Sequence, residues 1–205
     1  MPPISLAPTD RQLIPDYISD IKCALGGSAM YSALALALAL PDICASMHLR
    51  SDISSTNRTH YIRWCRQYMA LFKGGADSPT SFSPSHIYAI RCAFLHNGTT
   101  RMSRRHDAAR GLLGGIQLIW EGAEPHASII FSARASGFEM RRDLYVQMDV
   151  NMLCRAIASG AESWLSSVGT NRIVQRNLGL LVGIDIRDEN GSVQAAIAAA
   201  PPTSK

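Results

Sequence analysis

Apolar residues recur along most of this chain in three- and four-residue steps, the spacing that keeps them on one face of a helix. The first such stretch predicts a helix capped by Thr9 or Asp10 and running to about Leu25, where Gly26 and Gly27 break it. A second helix is expected from Ser28 through Ala29 to Leu40. It is almost wholly apolar and rich in Ala and Leu, so it should be the central element, with neighbours on several sides. Pro41 then kinks or restarts the chain, which leaves Asp42 at the junction with a short piece from Ile43 to Leu49.

A third helix is expected from about Asn57 to Lys73, with Tyr61, Trp64, Cys65, Tyr68 and Leu71 as a stripe that suits a core or a dimer seam better than base stacking. The polar loop Gly74 to Ser83 leads into a short, well-punctuated helix, with Ser83 as cap, Pro84 at the first position and Gly98 as the left-handed stop. Ile87, Ile90, Phe94 and Leu95 define its core face, and at about 100° per residue Arg91 falls inside that arc. An unpaired guanidinium there would cost on the order of several kcal/mol. Arg91 must therefore meet a carboxylate, face a wet cleft or sit at a subunit interface, and Asp42 is its leading candidate partner. His96 lies about 140° around the helix from Arg91. It sits in the last turn, where the helix dipole favours imidazolium, and a long arginine can reach sideways to share a cleft with it.

Alternation takes over further on. Gly115 to Trp120 and Ser128 to Phe131 read as short strands around the turn Glu121 to Pro125, and a third follows near Leu144 to Gln147. Together they predict a small antiparallel insert near 115–147. Asp149 or Asn151 then opens a long helix to about Ser167, with Val150, Leu153, Cys154, Ile157, Ala161 and Trp164 as its buried stripe. The expected fold class is mainly α, a helical bundle over residues 1–170 with a small antiparallel β insert. Residues 171–205 form a C-terminal extension, with a short helix before Leu180 to Ile186 and a frayed tail from Ala195.

Composition narrows the chemistry. A chain of 205 residues, 47% of them hydrophobic, suggests one domain with ample core. The net charge is +4, and arginines outnumber lysines 17 to 3, which suits phosphate contacts and equally suits a GC-rich genome. The densest positive stretch is Thr99 to Arg110, where Arg101, Arg104, Arg105 and Arg110 would grip an RNA backbone or form a solvated basic loop. No aromatic residue stands within that stretch for base stacking. Cys23, Cys44, Cys65, Cys92 and Cys154 are scattered without zinc or redox spacing, as buried thiols of a reducing cytosol would be. Met1 to Thr9 lacks a secretion signal, and the apolar run Ala33 to Leu40 is too short to span a bilayer, so a cytoplasmic protein without membrane contact is expected. His48, His60, His86, His106 and His126 are dispersed, with no metal-ligand spacing. Gly111 to Gly115 lacks the lysine of a phosphate loop, and no dinucleotide, metalloprotease or nucleophile-elbow pattern occurs, so neither metal nor cofactor is expected.

The segment Arg91-Cys-Ala-Phe-Leu-His96, near the end of its helix, resembles the signature of the HEPN superfamily, all-helical domains with an Arg, four to six intervening residues and a His. Tyr88 to His96, with the upstream Leu40-Pro-Asp-Ile-Cys44, also resembles a group of uncharacterised bacterial proteins. Cys92 stands where active HEPN members often carry a polar residue, and Gly98 where one toxin branch carries a tyrosine. The resemblance implies a homodimer that brings two Arg/His pairs together as a metal-independent endoribonuclease of toxin or phage-defence type. It makes Arg91 the phosphate-holding and His96 the proton-moving residue, with Asp42, Cys92 and Asn97 in support and RNA and an antitoxin as partners. The other reading is a non-catalytic helical module that binds a protein or nucleic acid, with Arg91 in a structural ion pair.

Overall fold

A helix made almost entirely of Ala and Leu can pack against neighbours on several sides, and α2 (Met30–Ser46) does so from Ala33 to Ala45. In the computed structural model, which describes residues 13–49, 56–72, 82–99, 115–119, 127–136, 139–178, 181, 186–187 and 193–194, α2 packs against four other helices. These are α1 (Leu13–Gly26), α3 (Arg58–Tyr68), α4 (Pro84–Asn97) and α5 (Val150–Val168). Ala33, Ala37, Leu38 and Leu40 of α2 are fully enclosed. No helix of the described residues is long and apolar enough to cross a membrane. The Thr9 or Asp10 cap, the Glu121–Pro125 turn, the Arg101–Arg110 segment and the tail from Ala195 lie outside the described residues.

Pro41 does not divide α2, as the sequence reading allowed. The helix runs on through it to Ser46, so Asp42 projects from one continuous helix rather than from a junction. Proline withholds one amide from the helix, that owed to the Ala37 carbonyl. Beside it the Tyr61 hydroxyl donates to the Leu38 carbonyl at 3.1 Å, tying α3 to the same turn. The third helix is shorter than its aromatic stripe implied. It ends at Tyr68 because Met69 turns extended (φ −80°, ψ 125°) and sinks its side chain into the core, and a 3-10 turn (Ala70–Phe72) follows. Leu71, expected on the buried stripe, is exposed as a result.

The insert departs from an all-antiparallel arrangement. Strands β1 (Gly115–Ile119), β2 (Ala127–Ser136) and β3 (Glu139–Asp149) form one sheet in the order β1-β3-β2. β2 and β3 make an antiparallel hairpin, whereas β1 pairs in parallel with β3, Gly115 opposite Tyr145 and Ile119 opposite Asp149. Strands that alternate in direction leave the first and third parallel. Because β3 rather than β2 holds the centre, those two become neighbours, and alternation of side chains along a strand carries no information about that order.

β3 passes into α5 without a loop. Asp149 is the last strand residue and also the helix cap, its carboxylate accepting from the Met152 amide at 2.6 Å. Leu153, Cys154, Ile157, Ala161 and Trp164 of α5 are all buried, as their spacing predicts. The chain then adds α6 (Arg172–Leu178), whose Val174 joins the same core and whose Asn177 amide donates to the Met47 and Leu49 carbonyls, both at 2.9 Å. A two-stranded pair, β4 (Ile186–Arg187) and β5 (Val193–Gln194), follows. Cys44, Cys65 and Cys154 are buried as expected, but Cys23 is exposed and Cys92 only half-buried.

Gly160 lies where α5 packs tightly against the end of α3. A Cβ added there would meet Trp64 Cη2 at 3.2 Å, Met69 Cγ at 3.4 Å and the Tyr68 backbone at 3.5 Å. Gly160→Val should therefore lower stability by about 1–3 kcal/mol through overpacking, read from urea unfolding.

A second expectation concerns His48, whose Nε2 accepts from the indole N–H of the fully buried Trp164 at 2.8 Å. His48 is exposed overall, and partial desolvation lowers its pKa below the ordinary 6.5. The folded protein then binds fewer protons than the unfolded chain just below that value, so this contribution is complete above it and shrinks as pH falls through the depressed pKa. Urea midpoints should decline on acidification from about pH 7 to about pH 5, and His48→Gln should flatten that decline. An equal decline in the variant would assign it to other groups.

Candidate functional site

The local sequence of α4 holds both its ends. Ser83 is extended (φ −125°, ψ 163°), its amide donates to His86 Nδ1 at 2.9 Å, and Pro84 opens the first turn. At the other end Gly98 is left-handed (φ 60°), with its amide on the Phe94 carbonyl at 2.9 Å and the Thr99 amide on the Ala93 carbonyl at 3.2 Å. The bond from the left-handed Gly98 to the Phe94 carbonyl is the αL form of helix termination. It holds His96 and Asn97 in an exposed final turn.

Arg91 lies half-buried in the middle of the helix and meets Asp42 of α2, Nη2 to Oδ2 at 2.8 Å, with the two side chains 23% and 18% exposed. Its other terminal nitrogen, Nη1, is 3.0 Å from His96 Nε2. Arginine only donates, so Nε2 accepts and the imidazole is neutral in this arrangement, its proton on Nδ1. Asp42 is held in turn by the Thr56 hydroxyl, which donates to Oδ1 at 3.1 Å. Among the described residues neither Asp42 Oδ2 nor Arg91 Nε gains a well-aligned hydrogen bond, so the pair is a charge contact rather than a two-bond fork.

Aromatic rings wall the pair. Tyr61 and Tyr88 meet edge to face with centroids 5.4 Å apart, and Tyr61 is fully enclosed. Partial burial pulls the Arg91 pKa down, but the Asp42 carboxylate, aided by Cys92 and Tyr61, outweighs it and raises the value above that of a free arginine. Burial raises the Tyr88 pKa, and so does a hydrogen bond with Cys92 one turn on. The guanidinium is thus a fixed charge among neutral phenols.

The structure brings together Asp42, Arg91 and His96 of the expected residues. Cys92 touches Arg91 only through a weak 4.0 Å sulfur contact. Asn97 is exposed, and no hydrogen bond joins it to the cluster among the described residues. Arg101, Arg104, Arg105 and Arg110 lie outside the described residues. Thr56 and Tyr88 were missed. Helical spacing offers a signal for Tyr88, three positions before Arg91 and four before Cys92, but none for Thr56, which reaches Asp42 through the fold alone.

The other described histidines have structural partners. His60 and His86 each accept the amide of their own helix cap, Asn57 at 3.3 Å and Ser83 at 2.9 Å, in the position a Glu or Gln usually fills. His48 is tied to Trp164. Among the described residues no group of three His, Cys, Asp or Glu is placed to hold a metal ion. Burial raises the thiol pKa of Cys44 and Cys65 and pushes that of Cys154 up to about 12, so these thiols are inert as nucleophiles. The groove between α1 and α5, bridged by Lys22 and Glu162 at 2.8 Å, shares no residue with the Arg91 cluster.

What remains chemically is a permanent cation, anchored from behind by a carboxylate, touching a neutral imidazole at an open helix end. Arg91 keeps further N–H donors for an anion, and His96 offers a lone pair for a proton. The ion pair should show a coupling of about 1–3 kcal/mol, between the surface and the buried cases, in a double-mutant cycle of Asp42→Asn and Arg91→Gln followed by urea unfolding. Additive single effects would mean that the contact carries no net stability.

No family model matches this chain, no curated protein matches it, and no solved structure matches it.

Proposed function

We propose that this chain is a HEPN-like, metal-independent endoribonuclease that works as a homodimer, with Arg91 and His96 of each protomer forming its site. The observation that supports this reading is the 3.0 Å contact between Arg91 Nη1 and His96 Nε2 at an exposed helix end, with Asp42 holding the guanidinium in place. A purely structural arginine has no need of an exposed imidazole.

In the proposed reaction Arg91 leaves His96 and donates to the nonbridging oxygens of the scissile phosphate. His96 Nε2, freed as an acceptor, takes the proton of the 2′-hydroxyl as that oxygen attacks phosphorus. The bond to the 5′-oxygen breaks, and the proton taken up as His96 imidazolium is returned to that oxygen, which restores the neutral imidazole. The products are a 2′,3′-cyclic phosphate and a 5′-hydroxyl, and no step calls for a metal. Arg101, Arg104, Arg105 and Arg110 follow α4 in sequence and would hold the flanking backbone through phosphate contacts. A toxin or phage-defence role, with an antitoxin as controlling partner, belongs to the same proposal.

The 2.8 Å contact with Asp42 also favours a second reading, in which Arg91 is a structural ion pair of a non-catalytic module binding a protein or nucleic acid. Cleavage of labelled single-stranded and structured RNA in EDTA separates the two. The nuclease reading expects cyclic-phosphate ends from the wild type and a loss of about 100- to 10,000-fold in a folded His96→Ala variant. A folded dimer that leaves every RNA intact would favour the binding module.

A further inference from the structure

Tyr31 is the most exposed large apolar side chain among the described residues, 81% open at the start of α2. An aromatic ring left in water at the edge of a packed bundle is an unused contact surface. The ring is not isolated. It lies parallel to Phe94 of α4, with an interplanar angle of 2° and centroids 6.4 Å apart. Phe94 is three positions beyond Arg91 on α4, about one helical turn away, so the ring that backs Tyr31 neighbours the arginine along that helix.

An exposed aromatic face backed by a second ring, one helical turn from a cation, suits one ligand chemistry in particular. A nucleobase stacks on an aromatic face whatever its sequence, while its own phosphate reaches a neighbouring guanidinium. A peptide partner would gain less, because the neighbouring functional groups are an arginine with spare donors and an imidazole, both suited to a phosphate. The chain's net charge of +4 has the sign that attracts a polyanion.

We infer that Tyr31, backed by Phe94, is a stacking shelf for an unpaired nucleobase adjoining the phosphate at Arg91, and that the ligand is therefore single-stranded RNA. This rests on the nuclease reading for its choice of ligand, but the shelf concerns binding and not the chemical step. A base locked in a duplex presents only its edges, so paired RNA cannot use the shelf.

The test is binding of a fully 2′-O-methylated single-stranded oligoribonucleotide, which lacks the attacking hydroxyl, to the full chain by fluorescence anisotropy, alongside the same oligomer with abasic positions and the same oligomer in a duplex. Tyr31 is exposed, so Tyr31→Ala should fold. The expected result is an affinity loss of roughly 5- to 150-fold in Tyr31→Ala, near-wild-type binding in Tyr31→Phe, and weak binding of the abasic and duplex forms to the wild type. Equal affinity of Tyr31→Ala and wild type for the single strand would overturn the shelf, and with His96-dependent cleavage intact it would do so without touching the nuclease. Absence of RNA binding by the wild type would overturn both. Sedimentation of Tyr31→Ala as a monomer where the wild type is a dimer would assign the face to a second copy of the chain, and the shelf would again fall.

Discussion

A carboxylate inside the most apolar helix of the molecule is the constraint around which one side of this fold is arranged. With only 18% of its side chain exposed, Asp42 needs partners in place of the water it loses. The Thr56 hydroxyl takes one oxygen and the Arg91 guanidinium takes the other. Satisfying Asp42 places α4 against α2, brings in the segment before α3, and commits Arg91 to a position from which it reaches the helix end. The imidazole at that end receives what the carboxylate leaves over, a donor on the opposite edge of the same planar group.

Much of this was legible in the chain. The breaks at Gly26, Ser83 and Gly98, the buried stripe of α5 and the pairing of Asp42 with Arg91 all follow from local rules about caps, helical phase and the cost of an orphan charge. What escaped depended on three-dimensional order. Pro41 continued the helix where α2 is packed against four neighbouring helices, one of which, through Tyr61, bonds beside the gap. The parallel β1–β3 pair depends on which strand is central, and nothing in short alternating segments encodes that. Met69 ended α3 early with its side chain fully buried in the core, a placement that helical spacing does not encode.

The site was half legible. Arg91 and His96 stand out because a charge and an imidazole interrupt an apolar helix, but helical phase alone put them on different faces. Their contact comes from the length of arginine, which spans the angular gap once Asp42 fixes the guanidinium. Histidine also proved a poor marker taken one residue at a time. His60 and His86 look no different from His96 in sequence, yet both serve as cap acceptors, so their spacing from Asn57 and Ser83 is the informative pattern.

The absence of a loop between β3 and α5 has a consequence for how the chain can vary in length. Strand register and helical phase meet at Asp149, so they form one variable rather than two. A single residue inserted there would turn α5 by about 100° and carry Trp164 away from His48, or else flip every side chain of β3 to the opposite side of the sheet. Relatives of this protein that tolerate insertions should carry them at the far end of the β2–β3 hairpin, leaving the strand-to-helix passage at constant length.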